Sequence, residues 1–513
     1  EEWVRLCAID EIKGDLTTPG YSVPLTVEFL KAHPTLVVDT RYFDSSFAAR
    51  LVERLEALDE QVDGLLLHSE NFQALNLMEN RYRGGVQCIY IDPPYNTDND
   101  GFAYKDSYKS SSWASFLRDR LALGRGLLNG KGVLFSSINE IERATLEWQL
   151  REIFGAQNRI EEIIWVRDTV SNNSPMYSTN HEYVEVFARD RRSVETDGVL
   201  FRETRPGLRE VKELVASLEI RRSPIVEIEE ALRKLYNDHR LRHVEEAIAA
   251  GESKEEALRN DPWKGLYPYK HAEYRDSEGR YLEEEVGRQQ AGSRIWIWRE
   301  VEPSMPSGKQ SETIKDPSSD NFRFYSPLHP ITGAPCRPPK RGWAFPFRAV
   351  PGRPSFESYL ADNRIFFKDS HEEIPQLKYF LHEVEVVVAT SVVRQYADGE
   401  PKLEALFGVK ALINNPKPPS LIERFVRQTT RGAEAALDFF AGSGTTGHAV
   451  INVNREDGGQ RKFILIEQAD YFDTVLLPRL KKVMFTPEWK DGKPKRFATS
   501  EEAERSPRIM KVI

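Results

Sequence analysis

The sequence predicts an α/β fold in which a mostly parallel sheet carries helices on its faces. Three observations lead there: apolar runs of buried-strand type alternate with amphipathic segments between residues 65 and 189, the alternation resumes near residue 383, and a glycine-rich turn separates a strand from a helix at 437–450. At 513 residues the chain exceeds a single compact core, and roughly 100–200 residues per domain implies several.

Taken in order, FAARLVERLEAL (47–58) reads as an amphipathic helix closing an N-terminal extension, 1–60. VQCIYI (86–91) reads as a strand, WASFLRDRLALGRGLL (113–128) as a helix, GVLFSSI (132–138) as a strand and EIERATLEWQLREIF (140–154) as a helix; RIEEIIWV and EYVEVFA are further strand candidates. Residues 208–260 interleave Glu with Lys and Arg in a helical pattern, which predicts solvated helical faces. Residues 301–356 hold 11 of the 30 prolines, so irregular loops and short edge strands are expected there. VEVVVATSVV restarts the α/β pattern, a strand, turn and helix follow at 434–453, and KFILIE (462–467) is a last strand before a polar tail.

With 71 Lys and Arg against 80 Asp and Glu, the net charge is −9. That excludes a protein that coats nucleic acid through bulk positive charge; such a partner must be met by a local basic surface. The best local candidate is 321–350, with five cations (Arg323, Arg337, Lys340, Arg341, Arg348), no acid and six aromatic rings that could stack on bases. Cys7, Cys88 and Cys336 match neither a disulfide framework nor zinc-ligand spacing, and His239 and His243 lie on a charged helix-like stretch, so no metal is expected. There is no signal pattern and no 18-residue apolar run, so a cytoplasmic protein without a membrane partner is expected.

Two motifs carry chemistry. IDPPYNT (91–97) directly follows the strand VQCIYI, and ligands of open α/β sheets bind at the carboxyl ends of strands. Pro93 and Pro94 stiffen the turn and remove two amide hydrogens, leaving the Asp92 carboxylate and the Pro93 carbonyl as acceptors beside the Tyr95 ring. Two acceptors suit the two hydrogens of an exocyclic amino group on a planar base. The second motif is LDFFAGSGTTGHAV (437–450). Gly442 and Gly444 permit a tight turn and a close ligand approach, and Glu467, at the end of the next strand, can hold ribose hydroxyls. Gly442, Gly444 and Gly447 satisfy the nicotinamide fingerprint, but Asp438 and Phe440 ahead of them make D-x-F-x-G-x-G, which fits a S-adenosylmethionine site better.

DPPY together with FxGxG resembles the amino-DNA methyltransferases. The order, DPPYN first and DFFAGSG more than 300 residues later, looks like the beta class, whose recognition domain lies between the two motifs. LLLHSENFQAL (65–75), HEYVEVFA (181–188) and NNPKP (414–418) extend the likeness, with Ser69 where glycine is frequent. VVDTRYF, HPITGAPCRPPKRGW and EWKDGKPKR resemble the modification subunits of type III restriction-modification systems.

The resemblance implies a Rossmann-like S-adenosylmethionine-dependent methyltransferase sheet interrupted by a mixed α+β target-recognition domain. It divides the chain into 1–60, a catalytic half at 61–190, a recognition insert at 191–375, a cofactor half at 376–485 and a tail at 486–513. It implies catalysis by Asp92, Pro93, Pro94 and Tyr95. Cofactor contacts are implied for Asn71, Asn415, Lys417, Asp438, Phe440, Ala441, Gly442, Ser443, Gly444, Thr445 and Glu467, and Arg323, Arg337, Lys340 and Arg341 are expected at DNA phosphates. The activity implied is base flipping and methylation of the 6-amino group of adenine in double-stranded DNA, in a bacterial or archaeal cytoplasm, by a homodimer with a possible nuclease or helicase restriction subunit. The alternatives are a stand-alone or type II amino-methyltransferase acting on adenine or cytosine, a recognition-only subunit of a nuclease complex, and a nicotinamide oxidoreductase, which would leave DPPY unexplained.

Overall fold

The computed structural model describes residues 1–14, 19–97, 107–167, 177, 179–249, 251–308, 312–348 and 352–513. The chain divides into two compact units, Glu1–Arg202 with Val388–Ile513, and Glu203–Val387.

The first unit is built on nine strands: β1 (Gly64–His68), β2 (Val86–Ile91), β3 (Leu128–Ile138), β4 (Arg159–Val166), β5 (His181–Ala188), β6 (Val392–Arg394), β7 (Ala435–Asp438), β8 (Lys462–Glu467) and β9 (Met510–Val512). Their spatial order is β6-β4-β5-β3-β2-β7-β8-β1-β9. Only β5 runs against its neighbours, β3 and β4. The α/β expectation holds, and β2 shows why: all six of its residues are buried, as a strand covered on both faces requires. Cys88 and Tyr90 face one core while Val86, Ile89 and Ile91 join the other.

Helices close both faces. On one side lie α1 (Asn71–Tyr82), α2 (Ser110–Leu127) and α3 (Arg143–Phe154); α2 buries Trp113, Leu117 and Leu121, four residues apart on one stripe. On the other lie α4 (Pro419–Thr429), α5 (Thr445–Asp457) and α6 (Leu477–Phe485). α4 opens with a proline at its first turn and buries Leu421, Ile422, Phe425 and Val426, each burial contributing about 1.5–3 kcal/mol. Phe425 stacks on Phe135 of β3 at 4.6 Å.

β2 and β7 are neighbours, Ile89 lying opposite Leu437. Two segments of the chain more than 300 residues apart therefore end side by side at the same edge of the sheet.

Four expectations shift. The helix expected over 47–58 breaks: Ser45–Glu53 and Leu58–Gln61 are separate, with Ala57 at φ 48° between them. The described residues among the first sixty belong to this unit, Phe29 being fully buried and Lys481 of α6 pairing with Glu2 and Asp39. The polar tail supplies β9, an edge strand parallel to β1. The VEVVVATSVV stretch is two short strands, of which Val392–Arg394 joins the large sheet.

The second unit carries an antiparallel five-stranded sheet in the order Ile365–Phe366, Gln376–Phe380, Arg294–Val301, His271–Arg275, Tyr281–Leu282. Helices Leu208–Arg221 and Ile225–Ala249 bury Val211, Leu218, Ile228, Leu232 and Tyr236, so the charge-rich stretch is solvated on one side only. Arg275 is 1% exposed and is neutralised by Glu273 at 2.6 Å and Asp362 at 2.7 Å. His239 stacks on Trp263 at 3.8 Å, a packing role. All three cysteines are buried and free. Among the described residues, no helix is long and apolar enough to cross a membrane.

Candidate active site

A cleft of about 770 Å³ opens at the carboxyl ends of β1, β2, β7 and β8, wholly within the first unit. Asp92, Pro93, Pro94, Tyr95, Asn71, Asn415, Lys417, Asp438, Phe440, Ala441, Gly442, Ser443, Thr445 and Glu467 all line it. The tertiary structure thus gathers both motifs and the NNPKP loop at one place. Gly444 belongs to the same turn, as N-cap of α5 with φ 83°.

The glycine turn is held from beneath. Asp438 accepts hydrogen bonds from the Phe440 amide at 3.0 Å and the Thr446 hydroxyl at 2.6 Å. Gly442, at φ 54°, donates its amide to Glu467 at 2.8 Å, and a Cβ on Gly447 would come within 2.9 Å of Leu480. The turn thus requires its first glycine for conformation and its third for packing of α5 on α6. Asn71 donates to the Phe439 carbonyl at 2.9 Å and accepts from Arg120, so the geometry gives it a buttressing contact behind the turn.

Burial pushes the Asp438 carboxyl up to about 7, with Asp92 and Glu467 adding to the rise. Burial also raises Glu467, against the pull of the Ala469 and Gly442 amides. These acids face one cleft, an environment that favours a cationic ligand.

At the DPPY turn, the Pro94 carbonyl accepts from the indole of the fully buried Trp113 at 2.8 Å, which locks the turn to α2. Asp92 is less simple than its sequence suggests. Burial raises its pKa, the Lys417 ammonium draws it back and Glu182 raises it again. Lys417 Nζ lies 2.9 Å from Asp92 Oδ1 and 3.4 Å from Glu182, and 4.8 Å from the centre of the Tyr95 ring. Burial works against this ammonium, but Asp92 and Glu182 hold its pKa above the ordinary lysine value. The Tyr95 hydroxyl donates to Glu182 at 2.9 Å, and Arg167 closes the network on the other Glu182 oxygen at 3.1 Å.

The sequence places Lys417 among the cofactor contacts; the structure sets its ammonium in the same cleft against the Asp92 carboxylate, because a buried cation requires a counter-ion. Sequence reasoning misses Glu182 and Arg167. The HEY of β5 is in plain view, but only the reversal of β5 brings its first residues to the edge where the parallel strands end.

The cations expected at DNA phosphates lie in the second unit. Arg337, Lys340 and Arg341 are exposed, whereas Arg323 is 7% exposed and donates to Asn321 at 2.6 Å, so it presents no charge outward. The aromatic rings of the segment are not free either: Tyr325, Trp343 and Phe345 form a core with Phe356, and Trp343 stacks on Tyr325 at 5.1 Å. Rings this apolar pack on each other before they wait for a base. Among the described residues, no three His, Cys, Asp or Glu side chains converge as metal ligands.

A family profile described as DNA methylase matches residues 86–475. The chain is 26% identical over 437 residues to the type III restriction-modification enzyme EcoP15I Mod subunit of Escherichia coli, covering 79% of this chain and 58% of that one. It is 26% identical over 439 residues to the StyLTI Mod subunit of Salmonella typhimurium, covering 79% and 52%. The type II methyltransferase M.KpnI of Klebsiella pneumoniae is 25% identical over 430 residues, covering 81% and 83%. The chain spans little more than half the length of the type III relatives it matches.

Proposed function

Since the chain belongs to the family of N6 and N4 DNA methylases, we propose that it transfers a methyl group from S-adenosylmethionine to the 6-amino group of adenine in double-stranded DNA. We assign it as the modification subunit of a type III restriction-modification system, acting in the cytoplasm as a homodimer beside a restriction subunit. The observation that carries the activity is the meeting of Asp92 with the Asp438 glycine turn in one cleft, at the ends of adjacent strands.

The residues fit the cofactor. Glu467 keeps carboxylate acceptor capacity beyond its amide bonds for ribose hydroxyls, the positive-φ glycines admit a close backbone approach, and the buried acids favour a cation. S-adenosylmethionine supplies a methyl group on a sulfonium, already a strong electrophile, so the protein mainly positions and stabilises. The target base must leave the duplex to reach this depth. Asp92 and the Pro93 carbonyl then accept its two amino hydrogens, freeing the nitrogen lone pair, and the Tyr95 ring stacks on the base. The proton released from the amino nitrogen passes to Asp92.

Expression of this protein alone in a methylation-free host, with mass spectrometry of the digested DNA, tests the reading. 6-Methyladenine is the expected product. Only 4-methylcytosine would move the target to cytosine, and unmodified DNA would remove the assignment of an enzyme active without a partner. A stand-alone type II role is the second reading, favoured by the 83% coverage of M.KpnI.

For DNA binding we propose that Arg337, Lys340 and Arg341 neutralise phosphates. Their joint replacement by Ala is expected to reduce the slope of log affinity against log salt by roughly 2–3, about 0.9 for each phosphate left without its cation. Fluorescence titration across salt measures it, and an unchanged slope takes the segment out of the interface.

A further inference from the structure

Arg479, in α6, is 0% exposed, and its surroundings differ from those of the buried Arg275, Arg461 and Arg455. Arg275 faces Glu273 and Asp362, and Arg461 faces Asp457 at 2.8 Å. Arg455 donates to the Val483 and Met484 carbonyls at the negative end of α6. Among the described residues, Arg479 has neutral partners only. Its Nη1 donates to Ser443 Oγ at 2.6 Å, to Thr445 Oγ1 at 2.9 Å and to the Ser443 carbonyl at 3.3 Å, and its Nε and Nη2 meet His448 Nδ1 at 3.3 and 3.2 Å. Burial, and next Arg479 itself, keep the His448 pKa far below its ordinary value, so the imidazole is neutral. Burial lowers the guanidinium to about 9 with no acid to offset it, so it stays charged at neutral pH.

A buried charge without a counter-ion is destabilising unless something completes it. The direction in which this one acts follows from hydroxyl geometry. Ser443 and Thr445 each accept from Arg479, so their own protons are left to donate. Their oxygens are 3.3 Å apart, which can use one of those protons and leaves the other. Both side chains line the cleft.

We propose that Arg479 is a positioning residue for the α-carboxylate of the cofactor's amino-acid moiety, its charge acting through the hydroxyls of Ser443 and Thr445. The role rests on the S-adenosylmethionine reading and divides the cleft: buried acids face the cationic part of the ligand, and a buried cation stands behind its anionic end.

The test is a binding cycle, by calorimetry on the full chain without DNA, using S-adenosylmethionine and its decarboxylated analogue. Wild type is expected to prefer the carboxylated ligand by about tenfold or more, the range of hydrogen bonds to charged groups. Arg479→Met is expected to erase most of that preference while leaving affinity for the decarboxylated analogue within a few fold, and Arg479→Lys to restore part of it. Should the Met variant fail to fold, the Ser443→Ala, Thr445→Val pair, which keeps the guanidinium, is expected to give the same loss. A carboxylate preference that survives in these variants overturns the role, because a merely structural arginine would weaken both ligands alike. Wild type that binds neither ligand overturns the cofactor reading and this role with it, an outcome distinct from a preserved preference.

Discussion

Asp92→Ala is expected to lower methyl transfer by at least about a thousandfold while the dissociation constant for S-adenosylmethionine changes by only a few fold. Removing one preorganised hydrogen-bond partner from a reacting group costs about 10²–10³ in turnover, and in the proposed reaction Asp92 supplies both the acceptor and the charge that receives the released proton. The cofactor turn does not depend on it: Asp438 is held by the Phe440 amide and Thr446, and Gly442 by Glu467. Transfer of labelled methyl groups to DNA and calorimetry with the cofactor separate the two effects. Near-normal turnover in the variant would show that another group accepts the amino hydrogen.

The second large effect concerns Lys417 and Glu182 and has opposite signs at the two sites. In the proposed reaction Asp92 must be ionised to receive the released proton. Burial and Glu182 raise its pKa, and Lys417 draws it down; Tyr90, Tyr95 and Asp438 are the other titratable groups around it. Lys417→Met removes the opposing charge, so the acid limb of the rate-against-pH profile is expected to move to higher pH. Below the limb, each unit of that movement lowers the rate about tenfold. Glu182→Gln removes a force that raises Asp92, so the limb is expected to move to lower pH. Lys417→Arg keeps the charge and should leave the limb close to wild type. Superimposable profiles for Lys417→Met and wild type would exclude Lys417 from control of Asp92.

Much of this is legible without coordinates. VQCIYI reads as a strand buried on both faces because five of its six residues are of types that pack in a core, and the structure buries all six. Asp92 after that strand and Gly442 in a tight turn are local statements, set by backbone freedom and by strand ends. Boundaries are less legible: the first unit runs to Arg202 and resumes at Val388, not 190 and 376, since a boundary reflects packing and not composition.

What the sequence determined by itself was the chemistry of short segments: two acceptors on a proline-stiffened turn, glycines where φ is positive, and an alternation that makes an α/β sheet. Tertiary structure alone decided which charges share a dry space. The reversal of β5 brought Glu182 to the cleft, the pairing of β2 with β7 joined motifs over 300 residues apart, and burial turned Arg323 inward, Trp343 into a core residue and Arg479 into a cation without a counter-ion. The physical reason is that hydrogen-bond geometry and backbone conformation act within a few residues of chain, whereas desolvation and Coulomb energy depend on neighbours in space.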